Sequence, residues 1–175
     1  KILIKNNNIL NITSKHLAEE KKEQFEFILK KTGFKIQLYE HVDSILSFLN
    51  YKKIKCGLVT GAIRSRVLKS VPELIKYFDT IVAADDEIDG KRIKGKPSPE
   101  QWLFAAKNMN MLPKDCMAIE NAVLGVRSVK SANIFCAGLE TTLKKQQLLN
   151  SGADLVFKNQ LDLLVYFKDL FKYAL

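Results

Sequence analysis

Apolar and polar positions follow two regimes along the chain. Residues 14–32 carry Leu17, Phe25, Ile28 and Leu29 at helical spacing among lysines and glutamates. With Ser14 as N-cap and Gly33 as stop, that pattern predicts an amphipathic helix. Ahead of it, "KILIKNNNILNI" holds two apolar bursts split by asparagines, which leaves helix, strand and disorder open. From residue 42 a regular alternation sets in. "VDSILSFLN" predicts a helix and "KCGLVT" a short strand; "SRVLKSVPELIKYF" predicts a helix broken at Pro72, and "DTIVAAD" a strand. "PEQWLFAAKNMNM" predicts a helix with Pro99 and Glu100 in its first turn, followed by strand "CMAIE", helix "LGVRSVKSA" and strand "NIFCAGL". "TLKKQQLLNSG" predicts a helix stopped at Gly152, "ADLVF" a strand, and "LDLLVYFKDLF" a final helix.

Short continuous apolar strands alternating with helices imply right-handed β-α-β units around a buried parallel sheet. The fold class is therefore α/β, a doubly wound, Rossmann-like sheet preceded by a small helical segment. Such sheets bind ligands beyond the carboxyl ends of their strands, so the residues at those ends carry the search for function. "KCGLV" runs into Thr60-Gly61-Ala62, "TIVAA" into Asp85-Asp86 with Lys96 in the following loop, and "CMAI" into Glu120-Asn121. A carboxylate at the end of a buried strand needs compensation by water, a lysine or a metal. A hydroxyl, an ammonium, a carboxylate and an amide are thus expected to converge on one rim of the sheet.

Charge changes this picture little. The chain of 175 residues has a formal net charge of +9. The excess is spread along helical faces and interleaved with glutamates, and the aromatic residues sit among apolar neighbours. That distribution describes a solvated lysine-rich surface with no nucleic-acid partner. No apolar run is long enough to span a bilayer, so no membrane partner is expected. Cys56, Cys116 and Cys136 lie in or beside apolar runs and read as buried reduced thiols of a cytoplasmic protein.

Several motifs dissolve on inspection. Gly90, Gly95 and Lys96 have the spacing of a phosphate-binding Walker loop, but Pro97 follows the lysine, offering neither hydroxyl nor N–H. Asp85, Glu87, Asp89 and Gly90 imitate a calcium loop whose last ligand position is Lys96, a cation. Asp89-Gly90 reads more simply as a turn tip. His16 and His41 are isolated and without cysteine partners. A receiver domain would need a phosphoacceptor aspartate on a strand before Thr60, and none is present.

The order "LVTGA", "GKPSPE", "AIENAVLGV" resembles the haloacid dehalogenase (HAD) superfamily, most of all its β-phosphoglucomutase and phosphoglycolate-phosphatase subgroup with a helical cap, over roughly residues 36–165. The resemblance implies an HAD-like core over residues 38–175 and a partial cap segment over residues 1–37. It gives Thr60 and Lys96 catalytic roles, Thr60, Gly61 and Lys96 the phosphate, and Glu120 and Asn121 a Mg²⁺ ion. Asn121 stands where the family's usual partner is aspartate. The family nucleophile, an aspartate in a "D-x-D-G-T/V" sequence after the first strand, has no counterpart here. Together with Lys1 in place of an initiator methionine, this leads to the expectation of an N-terminally incomplete chain lacking its first strand and inactive alone. The function implied is a Mg²⁺-dependent phosphohydrolase acting on a small phosphorylated metabolite, as monomer or weak homodimer. A β-phosphoglucomutase-like mutase and a non-catalytic phosphate-binding relative are the alternatives.

Overall fold

The computed structural model describes residues 13–32 and 37–172. The chain divides into two units at Gln37/Leu38. In the first, helix α1 spans Ser14–Thr32. Its cap is Thr13 and not Ser14: the Thr13 hydroxyl accepts from the His16 amide at 3.2 Å. Phe27 and Ile28 are exposed on it. Gly33 and residues 1–12 lie outside the described residues.

The second unit carries the α/β pattern read from the sequence. In chain order it contains α2 (Val42–Tyr51), β1 (Gly57–Val59), α3 (Arg64–Ser70), a 3-10 turn at Pro72–Tyr77 and β2 (Thr80–Val82). A hairpin β3 (Glu87–Ile88) and β4 (Lys91–Arg92) follows, then α4 (Glu100–Asn108) and β5 (Met117–Glu120). The remainder is α5 (Val123–Ser131), β6 (Phe135–Leu139), α6 (Lys145–Asn150), β7 (Leu155–Phe157) and α7 (Gln160–Leu170). Pro72 breaks the predicted helix as expected. The hairpin was not foreseen as strands, but its tip was: Asp89 and Gly90 both have positive φ, 51° and 72°, as a two-residue primed turn requires.

All core pairings are parallel, yet the sheet is in two pieces. β1 pairs with β2, and β5, β6 and β7 form a separate three-stranded piece. Side-chain alternation assigns the layers. Met117 packs with Ile45, Leu49, Leu163 and Phe167 of α2 and α7. Its neighbour Ala118 packs oppositely, with Val126 and Val129 of α5, Leu148 of α6 and Trp102 of α4. Cys136 is fully buried, whereas Cys56 and Cys116 are only partly so. Burial, followed by nearby carboxylate charge, pushes the Cys136 thiol up to about 12 and the Cys56 thiol to about 11. Both therefore stay protonated and packed.

Each piece is clipped at its start by the same device. The Asp154 amide donates to the Cys136 carbonyl at 2.8 Å, and its carboxylate accepts from the Cys136 amide at 2.7 Å. Asp79 and Cys56 repeat this exchange, both at 2.8 Å. Lys130 of α5 also grips Asp154, at 2.7 and 2.8 Å. Partial burial raises the Asp154 pKa, but the Cys136 amide and Lys130 outweigh it and hold the carboxyl below its ordinary range. Its contribution is thus complete above the unfolded value, about 3.9, and is lost as pH falls through the lower folded value. Asp154→Asn should cost about 1–2 kcal/mol at pH 7, and the gap to wild type should narrow as pH falls below the unfolded value. Urea denaturation across that range reads both effects.

Candidate active site

The rim at the strand ends is assembled by α4 and the segment before it. Lys96 and Pro97 are joined by a cis peptide bond. Glu100 fixes the segment by accepting from the Lys94 amide at 2.9 Å, and Ser128 of α5 donates to the Ser98 carbonyl at 2.6 Å. Helix α4 then turns Gln101, Ala105 and Ala106 inward, the spacing of one buried face. Gln101 is fully buried and donates to the carbonyls of Thr60 and Ala83 at 3.2 and 3.4 Å. It thereby ties the ends of β1 and β2 to the segment that carries Lys96.

Lys96 and Glu120 form a direct ion pair between Nζ and Oε1. Glu120, the last residue of β5, is 7% exposed, and Lys96 is 22% exposed. The compensating partner of the buried carboxylate is therefore a lysine. The lysine also lies 5.0 Å from the centre of the Trp102 ring, a cation-π contact. The other carboxylate oxygen accepts from the Asn121 amide at 3.2 Å, and the Asn121 side chain donates to the Thr141 hydroxyl at 2.7 Å. Gly125 completes the cradle: a Cβ there would coincide with the Glu120 carboxylate.

Thr60 and Gly61 lie at the end of β1, in the other sheet piece. The Thr60 hydroxyl accepts from the Ala62 amide at 3.1 Å, a local turn, and Gly61 is exposed. The structure thus joins Lys96, Glu120 and Asn121 by direct contact and links Thr60 to them through Gln101. Asp85 and Asp86 are spent on scaffolding. Asp85 accepts from the Arg64 amide at 2.7 Å, and Asp86 takes the Arg64 guanidinium at 2.6 and 3.0 Å plus the Ala83 amide at 3.0 Å. Burial works against the ionised Asp86, yet these partners hold its carboxyl below the ordinary range. Sequence reasoning missed Gln101, Trp102, Gly125 and Thr141. Only Gly125, a glycine inside a helix five residues after a buried acid, carried a readable signal.

Among the described residues no three His, Cys, Asp or Glu side chains gather as a metal cluster. Glu120 and Asn121 still supply one carboxylate and one amide. Mg²⁺ is commonly held by one or two carboxylates, with waters and phosphate oxygens completing its shell. The donor set fits that sparse arrangement.

An open parallel α/β sheet with charged and amide groups collected beyond its strand ends is the Rossmann-like arrangement, whose ligands bind at that rim. A haloacid dehalogenase-like hydrolase model matches residues 4–133, and the chain belongs to that family. It is 29% identical over 154 residues to β-phosphoglucomutase of Bacillus subtilis, covering 87% of this chain and 63% of the relative. It is 32% identical over 122 residues to a phosphorylated carbohydrates phosphatase of Thermotoga maritima, covering 69% and 51%. The chain thus spans between half and two thirds of the length of these relatives. A β-phosphoglucomutase structure from Clostridium difficile superposes with TM-score 0.75 at 24% identity, over 99% of this chain and 74% of its own, a likeness of fold. No described helix is long and apolar enough to cross a membrane.

The cradle makes a signed prediction. Gly→Ala inside a helix ordinarily stabilises by about 1 kcal/mol. Gly125→Ala should instead destabilise by about 3 kcal/mol, because Glu120 must leave its lysine. In a Glu120→Ala background the penalty should largely vanish. Equal penalties in both backgrounds, by urea denaturation, would contradict the contact.

Proposed function

We propose that this chain carries the phosphate- and metal-binding half of a phosphohydrolase site for a small phosphorylated metabolite such as a sugar phosphate. The observation that carries the reading is the Lys96–Glu120 pair at a strand-end rim, in a chain of this family. Phosphoryl transfer is catalysed by positioning and by neutralising charge on the equatorial oxygens. Lys96 supplies one positive charge to those oxygens, and the Thr60 hydroxyl and Gly61 amide donate to them. Glu120 and Asn121 would hold Mg²⁺, whose charge would offset that remaining on the phosphate. Thr141, by accepting from the Asn121 amide nitrogen, leaves the amide oxygen for the ion or its water. The unit over residues 1–37 is read as part of a cap, and the D-x-D-G-T/V sequence that carries the family's nucleophile does not occur in these 175 residues.

A mutase working through the same chemistry is the second reading. It is favoured by the β-phosphoglucomutase relative, whose match covers 87% of this chain. Both readings share the rim and differ in groups this chain does not contain.

Calorimetric titration with MgCl₂ and inorganic phosphate tests the proposal. Lys96→Ala should weaken phosphate binding about tenfold or more. Glu120→Gln should do the same for Mg²⁺ while leaving the fold intact by circular dichroism. Residues 1–175 alone should not hydrolyse p-nitrophenyl phosphate with Mg²⁺. Unchanged binding in both variants, or turnover by this chain alone, would overturn the assignment.

A further inference from the structure

The loop that follows β1 is tied to its neighbours residue by residue. The Thr60 amide donates to the Val82 carbonyl, and the Ala62 carbonyl accepts from the Ala84 amide, both at 2.9 Å. The Arg64 amide donates to the Asp85 carboxylate at 2.7 Å. Gln101 completes the set by donating its carboxamide nitrogen to the Thr60 carbonyl at 3.2 Å and the Ala83 carbonyl at 3.4 Å. Two carbonyl acceptors fix which end of the amide faces them. That orientation leaves the Gln101 Oε1 buried with no donor among the described residues. A buried acceptor without a donor is costly, and an apolar side chain would fill this fully buried position without that cost. What the glutamine adds is its two N–H donors.

Peptide geometry converts that anchor into a direction. Among the described residues only Lys96–Pro97 is cis, so the Thr60–Gly61 peptide is trans. In a trans peptide the C=O and the N–H of one unit point in opposite directions. Holding the Thr60 carbonyl against the buried Gln101 therefore turns the Gly61 N–H away from the interior. Gly61 is exposed, and a Cβ built on it would meet nothing within 4 Å. Its amide makes no hydrogen bond among the described residues. The Thr60 hydroxyl accepts from the Ala62 amide through a lone pair, so its own proton also remains to be donated. Two adjacent residues thus keep donors uncommitted while the chain behind them is locked. Lys96 stands in the segment that leads into α4, so one stretch of chain carries the cation and sets the Gly61 amide.

We propose that Gln101 is a positioning residue for anion binding, which fixes the Thr60–Gly61 peptide so that the Gly61 amide is presented to a phosphate oxygen. This rests on the reading of Thr60, Gly61 and Lys96 as phosphate ligands. Gln101 itself, being fully buried, acts only through the peptide it holds. A peptide free to rotate would have to be ordered on binding, and one turned over would present its carbonyl, which repels an anion. The buried carboxamide removes both losses in advance.

Amide NMR of the 175-residue chain titrated with inorganic phosphate tests it. In the wild type the Gly61 amide proton should move downfield as it bonds to the anion. Gln101→Met, similar in length but without donors, should weaken phosphate binding at least about fivefold and shrink that shift. Gln101→Asn, an amide one methylene too short, should do the same, and it carries the test if the Met variant does not fold by circular dichroism. Gly61→Pro removes the N–H on which Gln101 acts. Adding Gln101→Met to it should therefore weaken binding by no more than about twofold further, whereas a residue that merely packs would give effects that multiply. Unchanged affinity in a folded Gln101 variant, or multiplying effects in the double variant, would overturn the positioning role and leave the phosphate reading standing. No shift at Gly61 in the wild type at saturating phosphate would overturn the phosphate role of Gly61 and this inference with it.

Discussion

A buried carboxylate at the end of β5 has to be paired, and the rim is arranged around that requirement. Lys96 supplies the opposite charge to Glu120, and Trp102 lies beside the lysine. Gly125 leaves room for the carboxylate where any Cβ would intrude. Desolvating two charges costs several kcal/mol per ion, and only good geometry with further hydrogen bonds repays it. The Asn121 amide supplies one such bond. A pair built this way is a poor source of stability and a good way of presenting a positive and a negative group side by side. Phosphate and a divalent cation ask for that presentation together.

The scaffold under the rim is divided. Helix α4 carries the join, with Gln101 bonded to Thr60 and Ala83 on one sheet piece and Lys96, ahead of the helix, bonded to Glu120 on the other. Among the described residues the pieces are connected between β1 and β5 by helices and loops and not by strand pairing. Parallel strands in such folds are normally buried on both faces and paired at both edges when central. The partial exposure of Gly57, Leu58 and Val59 and of Ile119 is the physical trace of that gap. An open edge of this kind is also where unintended association begins.

Much of this arrangement was legible in the sequence because it depends on period and position. The strand-helix alternation follows from apolar runs such as Met117–Ile119 ending at Glu120, and the break at Pro72 follows from ring geometry. A lysine was among the compensating groups considered for Glu120, and it is the one the fold brings. What the sequence did not disclose depends on distance in space. Gln101 looked like one more polar residue on a helix, because its acceptors Thr60 and Ala83 are remote in the chain. Asp85 and Asp86 looked available at the rim until Arg64 was seen to engage both. Thr13 displaced Ser14 as cap by one residue, within the usual slack of a helix end. The split of the sheet is a statement about a pairing that is missing among the described residues, and hydrophobic periodicity records only what is present.

The central claim is that Lys96 and Glu120 are energetically one unit. A double-mutant cycle on chain stability, with Lys96→Met, Glu120→Gln and the double variant, measures that directly. Each single change should destabilise by about 3 kcal/mol, and the double variant should recover much of the loss, giving a coupling of at least about 2 kcal/mol. Single effects that add to within about 0.5 kcal/mol would show two independent side chains and contradict the account.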